Sequence, residues 1–330
     1  MNVKLEELAK LAGVSRTTAS YVVNGKAKQY RVSDQTIEKV EKLIKKYDFK
    51  PNAMAAGLRA GKSNTIGLIV PDFENVSYAK IANRLENSFR ERGYQLLIAC
   101  SNDSAENEIQ CAKNLFQRRI DALIVSTALP FDTDFYQRVA NVPVIAFDRQ
   151  LKSNATMLLT DDEGDAYRLA QRLVNKHPNH TKILFFGAFP SLSMSFSREK
   201  GFRDALREQG KSINFVYADK FHKSASENVF RSWLEKNEMP DAIFVTSLSL
   251  LQGILKVLVK REDGIPKDLV IATFGHHEML DFLDNDVICC VQNHEKIVQS
   301  LLSLVLDSVK YKDSLQAQDI IVRDLIEKCA

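Results

Sequence analysis

The sequence predicts a small all-α headpiece followed by a two-lobed α/β body with parallel sheets. Residues 4–46 repeat apolar positions at helical spacing, whereas from residue 65 onward short apolar, β-branched runs alternate with helix-length segments. The charge divides at the same place. Residues 1–62 hold 13 Lys and Arg against 6 Asp and Glu, a surplus of seven, which leaves the other 268 residues four negative in a chain of net charge +3. A compact basic segment ahead of a mildly acidic body suits a polyanion-binding head on a soluble carrier.

At 330 residues, 45% hydrophobic and 26% charged, the chain is long enough for two or three folding units and too apolar for a disordered, collagenous or mucin-like class. Its longest apolar runs, such as Ile66–Val70, are strand-length, far below the roughly 20 residues of a membrane helix. The opening MNVKLEELAK is charged and carries no secretory signal, so a cytoplasmic protein without membrane contact is expected. Cys100, Cys111, Cys289, Cys290 and Cys329 show no C-x-x-C or His-paired spacing and read as reduced thiols, mostly in the core. No metal or other cofactor is expected.

Three helices follow from the headpiece pattern. Leu5, Leu8, Ala9 and Ala12 define the first, and Gly13 ends it; Ser15 caps a second running to about Val23, which stops at Asn24-Gly25; Ser33 opens a third whose stripe is Ile37, Val40, Leu43 and Ile44. Two helices of about eight residues joined by Ala12-Gly13-Val14-Ser15 match a helix-turn-helix, in which the second helix presents its first residues to base edges. Arg16, Thr17 and Thr18 occupy those positions; the guanidinium suits a guanine and the hydroxyls and methyls suit other bases. Lys26, Lys28 and Arg31 on the following loop are expected to meet phosphates. A helical hairpin that merely packs, with Arg16 solvated, is the plain alternative. Residues 51–63 would form about two helical turns, too short to be stable alone, and read as a conditional linker helix.

In the body, strands are expected at Ile66–Val70, Leu96–Ala99, Ala122–Val125, Val142–Phe147, Ile183–Phe186, Ala242–Val245 and Leu269–Phe274. Helices are expected at Tyr78–Arg92, Glu106–Gln117, Gly164–Asn175, Arg198–Glu208, Ser224–Lys236 and Ser249–Lys260. Open parallel sheets bind ligands just past their strand ends. Asp72, Asn75, Ser77 and Tyr78 follow the first strand, Ser101 and Ser126 the second and third, Asp148 and Arg149 the fourth, and Ser247 a later one. Each could instead be a cap or turn residue. Ser193, Ser195 and Ser197 precede Arg198 at an expected helix start, an arrangement that suits a phosphate; Arg149 and Arg323 are further candidate cations, with surface ion pairs as the plain alternative. His276-His277 has no Asp or Cys at metal-ligand spacing. No G-x-S-x-G, P-loop or post-strand G-x-G-x-x-G motif is present, so no catalytic residue is assigned and an enzyme is not expected.

Leu5, Leu8-Ala9, Leu11-Ala12-Gly13-Val14-Ser15 and Thr18-Ala19-Ser20-Tyr21-Val22-Val23-Asn24-Gly25, with Val32-Ser33, Pro51-Asn52-Ala53 and Leu58-Arg59, resemble the lac repressor/galactose repressor family. Resemblance to a fructose-responsive branch runs through Ser15–Ser33, Tyr94–Ser101, Val125-Ser126-Thr127 and Leu250-Leu251-Gln252-Gly253, and covers essentially the whole chain. It implies a headpiece at 1–48, a hinge helix at 49–63, and a periplasmic-binding-protein-like body at 64–330. The first lobe would hold about 64–163 and 294–319, the second about 164–293 and 320–330. It further implies a homodimer or larger assembly on a pseudo-palindromic operator DNA, with Tyr21, Asn24, Ala55 and Arg59 joining the DNA face and Leu58 as a wedge between bases. Asp148 would bond sugar hydroxyls. The effector implied is a sugar phosphate, fructose 1-phosphate, with fructose 1,6-bisphosphate left open as a weak second. Ser247-Leu248 and Phe274-Gly275 stand where most of the family has Asn-Asp and Tyr-Asp, a loss of acidic groups that favours a phosphorylated over a neutral sugar.

Overall fold

Helices α1 (Leu5–Ala12), α2 (Arg16–Val23) and α3 (Asp34–Lys46) form the first unit, burying Leu8, Ala12, Val22 and Val40 against Ala27 of the α2–α3 loop. The Ser15 and Ser33 hydroxyls start α2 and α3 by accepting from the N–H groups of Thr18 (3.0 Å) and Thr36 (3.4 Å). Gly13 ends α1 at φ +66°, a left-handed turn that residues with a β-carbon resist. The computed structural model describes residues 3–49, 62–151, 155–311 and 318–328, and the chain divides into units 1–63 and 64–330. The expected hinge helix, with Ala55, Leu58 and Arg59, lies outside the described residues, as does Cys329.

The second unit is built on two six-stranded sheets. β1 (Thr65–Val70), β2 (Gln95–Cys100), β3 (Ala122–Val125), β4 (Val144–Phe147), β5 (Thr156–Thr160) and β11 (Gln318–Ile321) make the first, in the order β11-β5-β4-β3-β1-β2 with every pair parallel. Helices α4 (Val76–Glu91) and α11 (His294–Tyr311) cover one face, α5 (Ala105–Gln117) and α6 (Phe135–Val139) the other. Both faces are buried, so Ile66, Leu68 and Val70 pack under α4 and α11 while Ile69 packs under α5.

The second sheet holds β6 (Lys182–Ala188), β7 (Ser212–Ala218), β8 (Ala242–Val245), β9 (Val270–Phe274), β10 (Val287–Val291) and β12 (Asp324–Lys328), ordered β12-β10-β9-β8-β6-β7. Only β12 runs antiparallel. Helices α7 (Asp162–Lys176) and α8 (Ser193–Leu206) lie on one side, α9 (Lys223–Leu234) and α10 (Leu248–Leu258) on the other. Close packing of α9 on α10 requires glycine at 253, where a β-carbon would sit 2.1 Å from the Lys223 carbonyl oxygen. Among the described residues the chain passes between lobes three times, beside Asp161, at Gln292-Asn293 and at Val322-Arg323.

Two expectations need correction. Ile320 and Ile321, assigned to the second lobe, pair with Leu159 and Thr160 in the first sheet, so the last crossing falls at Val322-Arg323. Arg198 does not open its helix: α8 starts at Ser193, placing Arg198 in the second turn, because Ser193, Ser195 and Ser197, residues that favour caps and turns, are here accommodated inside the helix. Cys289 and Cys290 are core residues whose thiols burial pushes up to about 12, whereas Cys100 and Cys111 are half-buried; all four are free.

Candidate ligand cleft and nucleic-acid face

On the headpiece, Arg16 and Thr17 stand exposed in the first turn of α2. The Thr18 hydroxyl is tied to Ser15 Oγ at 2.8 Å, and the Asn24 side-chain amide donates to the Ser20 carbonyl at 2.8 Å. Tyr21 stacks flat on Tyr30, with ring centroids 3.8 Å apart and 3° between planes. Sequence spacing gave no sign of that pair, because Tyr30 lies in the loop. Lys26, Lys28 and Arg31 are exposed on the same loop, where Arg31 adopts φ +52°. The face therefore combines a helix start with three exposed cations and carries no acidic side chain among these positions.

Between the two lobes lies a cleft, partly open to solvent, that encloses about 820 Å³ when the open space at its mouth is included. Nine of the twelve predicted residues line it: Asp72, Asn75, Ser77, Tyr78, Asp148, Arg149, Arg198, Ser247 and Arg323. Ser101, Ser126 and Ser195 do not. The Ser195 hydroxyl donates to the Ala188 carbonyl at 2.7 Å, Ser126 bonds Tyr78 from behind at 3.0 Å, and Ser101 is wholly buried off the cleft. Ser101 and Ser126 directly follow β2 and β3 as expected yet are sealed off from the cleft, and Ser195 lies inside α8 rather than ahead of it.

Three buried arginines dominate the cleft, each held by carboxylates. Arg149 Nη1 donates to Asp103 at 2.7 Å and to the Thr127 carbonyl at 3.2 Å. Arg198 donates to Asp162 from Nε at 2.8 Å and to the Thr246 carbonyl at 2.6 Å, while its guanidinium lies 4.3 Å from the Phe274 ring centroid. Arg323 contacts Asp165 at 2.8 Å, Asp162 at 3.1 Å, Asp148 at 3.9 Å and Thr160 Oγ1 at 2.9 Å. Burial disfavours the charge on Arg149 and Arg323, but the surrounding acidic groups outweigh it and the net shift is upward for both. Both therefore remain cationic at any physiological pH.

Asp148 is the junction of these contacts. It sits at φ +64°, a strained backbone for a non-glycine residue, and accepts from the Tyr78 hydroxyl at 2.7 Å and Gln292 Nε2 at 3.0 Å. Burial and the Asp148 charge push the Tyr78 hydroxyl above its usual range, so it stays a proton donor. Ser77 bonds both Gln292 and His294, the latter at 2.8 Å. Through Gln292 and Arg323, Asp148 thus reaches two of the lobe crossings, so a ligand hydroxyl donating to it would compete directly with those contacts. Sequence reasoning missed Asp103, Thr246, Gln292 and His294. The rule that found Ser101 and Ser247 reaches the first two; β10, hidden in Cys289-Cys290, left the last two without a strand to follow. Of the histidine pair, His276 lines the cleft 3.4 Å from Asp281, and His277 caps the short 3₁₀ turn Glu278–Phe282.

Residues 66–313 match the description "Periplasmic binding protein domain" and residues 4–52 match "Bacterial regulatory proteins, lacI family". The catabolite repressor/activator of Salmonella typhimurium is 51% identical over 310 residues, spanning 93% of this chain and 92% of its own. The chain belongs to the lacI family of bacterial regulatory proteins. Among solved structures, the Cra transcriptional dual regulator of Pseudomonas putida, in complex with fructose 1-phosphate, superposes with a TM-score of 0.76 at 33% identity, over 81% of this chain and 99% of that one. The lac repressor dimer, bound to operator and the anti-inducer ONPF, shares the fold with a TM-score of 0.80 at 19% identity, over 99% and 98%. Among the described residues of this lacI-family chain, no helix is long and apolar enough to cross a membrane.

His294, at the second crossing, gives the lacI-family body a pH signature. Burial, aided by Lys80 and Arg84, lowers its imidazole to about 4. Unfolded histidine titrates near about 6.5, so between those values the unfolded chain binds a proton that the folded chain refuses. The stability conferred by neutral His294 is present above pH 6.5 and lost as pH falls. Thermal unfolding from pH 7 to 5 should therefore remove about 1–2 kcal/mol more from the wild type than from His294→Gln. Parallel losses in the two proteins would assign the acid sensitivity elsewhere.

Proposed function

We propose that this chain is an effector-controlled, sequence-specific DNA-binding transcription regulator of sugar and central carbon metabolism, acting in the cytoplasm as a dimer on pseudo-palindromic operator DNA and released by fructose 1-phosphate. The observation that carries the effector assignment is the likeness of the cleft-bearing body to the Pseudomonas putida regulator that binds fructose 1-phosphate. Three buried guanidiniums around the cleft supply the charge-assisted donors a phosphorylated sugar needs. The effector shifts the protein between lobe arrangements only by its differential affinity for them. Titrating a labelled operator complex with fructose 1-phosphate and, separately, with fructose tests the assignment: release by the phosphate at lower concentration supports it, and equal potency of free fructose overturns it.

On the headpiece, Arg16→Ala should weaken operator binding by roughly 1–3 kcal/mol and relax preference at a single base pair. Competition binding with operator and random DNA measures this. Equal loss on both would make Arg16 a backbone contact, as expected for Lys26, Lys28 and Arg31, whose truncation should each lower the log–log salt slope by about 1.

A further inference from the structure

Two polar atoms on residues that line the cleft are sealed from solvent and bonded to nothing among the described residues: Nε of Arg149 in the first lobe and Oγ1 of Thr246 in the second. Thr246 is 1% exposed and directly follows β8. Its backbone is fully employed, the N–H donating to the Phe186 carbonyl at 3.0 Å and the carbonyl accepting from Arg198 at 2.6 Å. The residue is therefore fixed in place with one uncommitted group, its hydroxyl. Ser247, the residue favoured by sequence, is the reverse case: its hydroxyl is occupied as the N-cap of α10, accepting from the Leu250 N–H at 3.3 Å.

A buried hydroxyl without a partner destabilises the protein that carries it, and valine would fill the same volume without that penalty. Polar groups left unsatisfied at such expense concentrate where a ligand completes them. Ser101 and Ser308 also carry unpartnered buried hydroxyls, but neither lines the cleft. Thr246 does, and it is fixed to Arg198, which lines the same wall.

We infer that the Thr246 hydroxyl is a specificity-determining contact for the effector, bonded on binding to an oxygen of the sugar phosphate, while Arg149 Nε meets a second oxygen from the opposite lobe. The inference rests on the reading of the cleft as an effector site. One ligand then satisfies an orphaned donor in each lobe, which ties ligand occupancy to the distance between lobes. A neutral hydroxyl at Thr246 can both give and take a hydrogen bond, so it discriminates by position, whereas the arginines discriminate by charge.

Calorimetry of fructose 1-phosphate binding to the full-length wild type, Thr246→Val and Thr246→Ser, with a thermal melt of each, tests the inference. Thr246→Val should bind about three- to thirty-fold more weakly while melting no lower than the wild type, because the orphaned hydroxyl is gone. Thr246→Ser, which keeps the hydroxyl, should stay within about threefold of the wild type. Weaker binding joined to undiminished stability is the mark of a ligand contact, since a merely structural threonine would lose both. Wild-type binding matched by Thr246→Val, or a Thr246→Val protein that melts lower and loses affinity only in step with that, overturns the inference. A wild type that takes up no fructose 1-phosphate overturns instead the effector reading beneath it.

Discussion

Replacing Arg323 with methionine should lower the melting temperature of the body by about 10 °C. The guanidinium is 3% exposed and bonds Asp165, Asp162 and Thr160, within a chain segment that passes from the first sheet to the second. Asp165 is wholly buried and accepts in addition from the Arg323 backbone N–H at 3.2 Å. Removing the cation leaves three carboxylates, Asp148, Asp162 and Asp165, with less than their present compensation. Breaking a buried pair on one side typically destabilises by about 3–5 kcal/mol, because the surviving charge stays desolvated. For a domain of this size about 2–4 °C accompanies each kcal/mol, which gives the stated shift. Circular dichroism melts of the wild type, Arg323→Met and Arg323→Lys measure it. A loss under about 3 °C for methionine would mean that Arg168 and Arg198, which also bond Asp165 and Asp162, hold the acidic cluster unaided.

How much of this was legible beforehand depended on whether a residue's partner was near in sequence. Ile66–Val70 and Ala122–Val125 announce themselves because strands buried on both faces are continuously apolar, and α2 and α3 because Ser15 and Ser33 bond three residues on. By contrast β5, Thr156–Thr160, is a strand of only five residues, and the edge strand β12, Asp324–Lys328, carries charged residues that only its sheet neighbour makes strand-like. The cleft divides the same way. Asp148 and Arg149 follow a strand and are readable from position, but Gln292 meets Asp148 across 144 residues of sequence. Spacing could not choose between Thr246 and Ser247 either, since that choice turns on which hydroxyl the α10 start consumes.

Arg198→Ala should weaken fructose 1-phosphate binding tenfold or more, for a reason that differs from a simple cation at a helix start. In the second turn of α8 the side chain is 4% exposed, bonded to Asp162 and packed over Phe274. On the effector reading proposed above it would meet the ligand pre-oriented and partly neutralised, so that its worth would lie in fixed geometry as well as in charge. A charge-assisted bond contributes about 1.5–3 kcal/mol, equivalent to roughly 10- to 150-fold in affinity. Alanine also frees Asp162 to repel the incoming phosphate, which adds to the loss, and it removes the donor on the Thr246 carbonyl, so the body should melt several degrees lower as well. The two effects separate in Arg198→Lys, which restores charge without the planar fork that reaches Asp162 and Thr246 together. If lysine recovers affinity fully, charge alone matters at this position; if it recovers stability but less than a tenth of the affinity, geometry does. Undiminished binding by Arg198→Ala would remove the residue from the effector site.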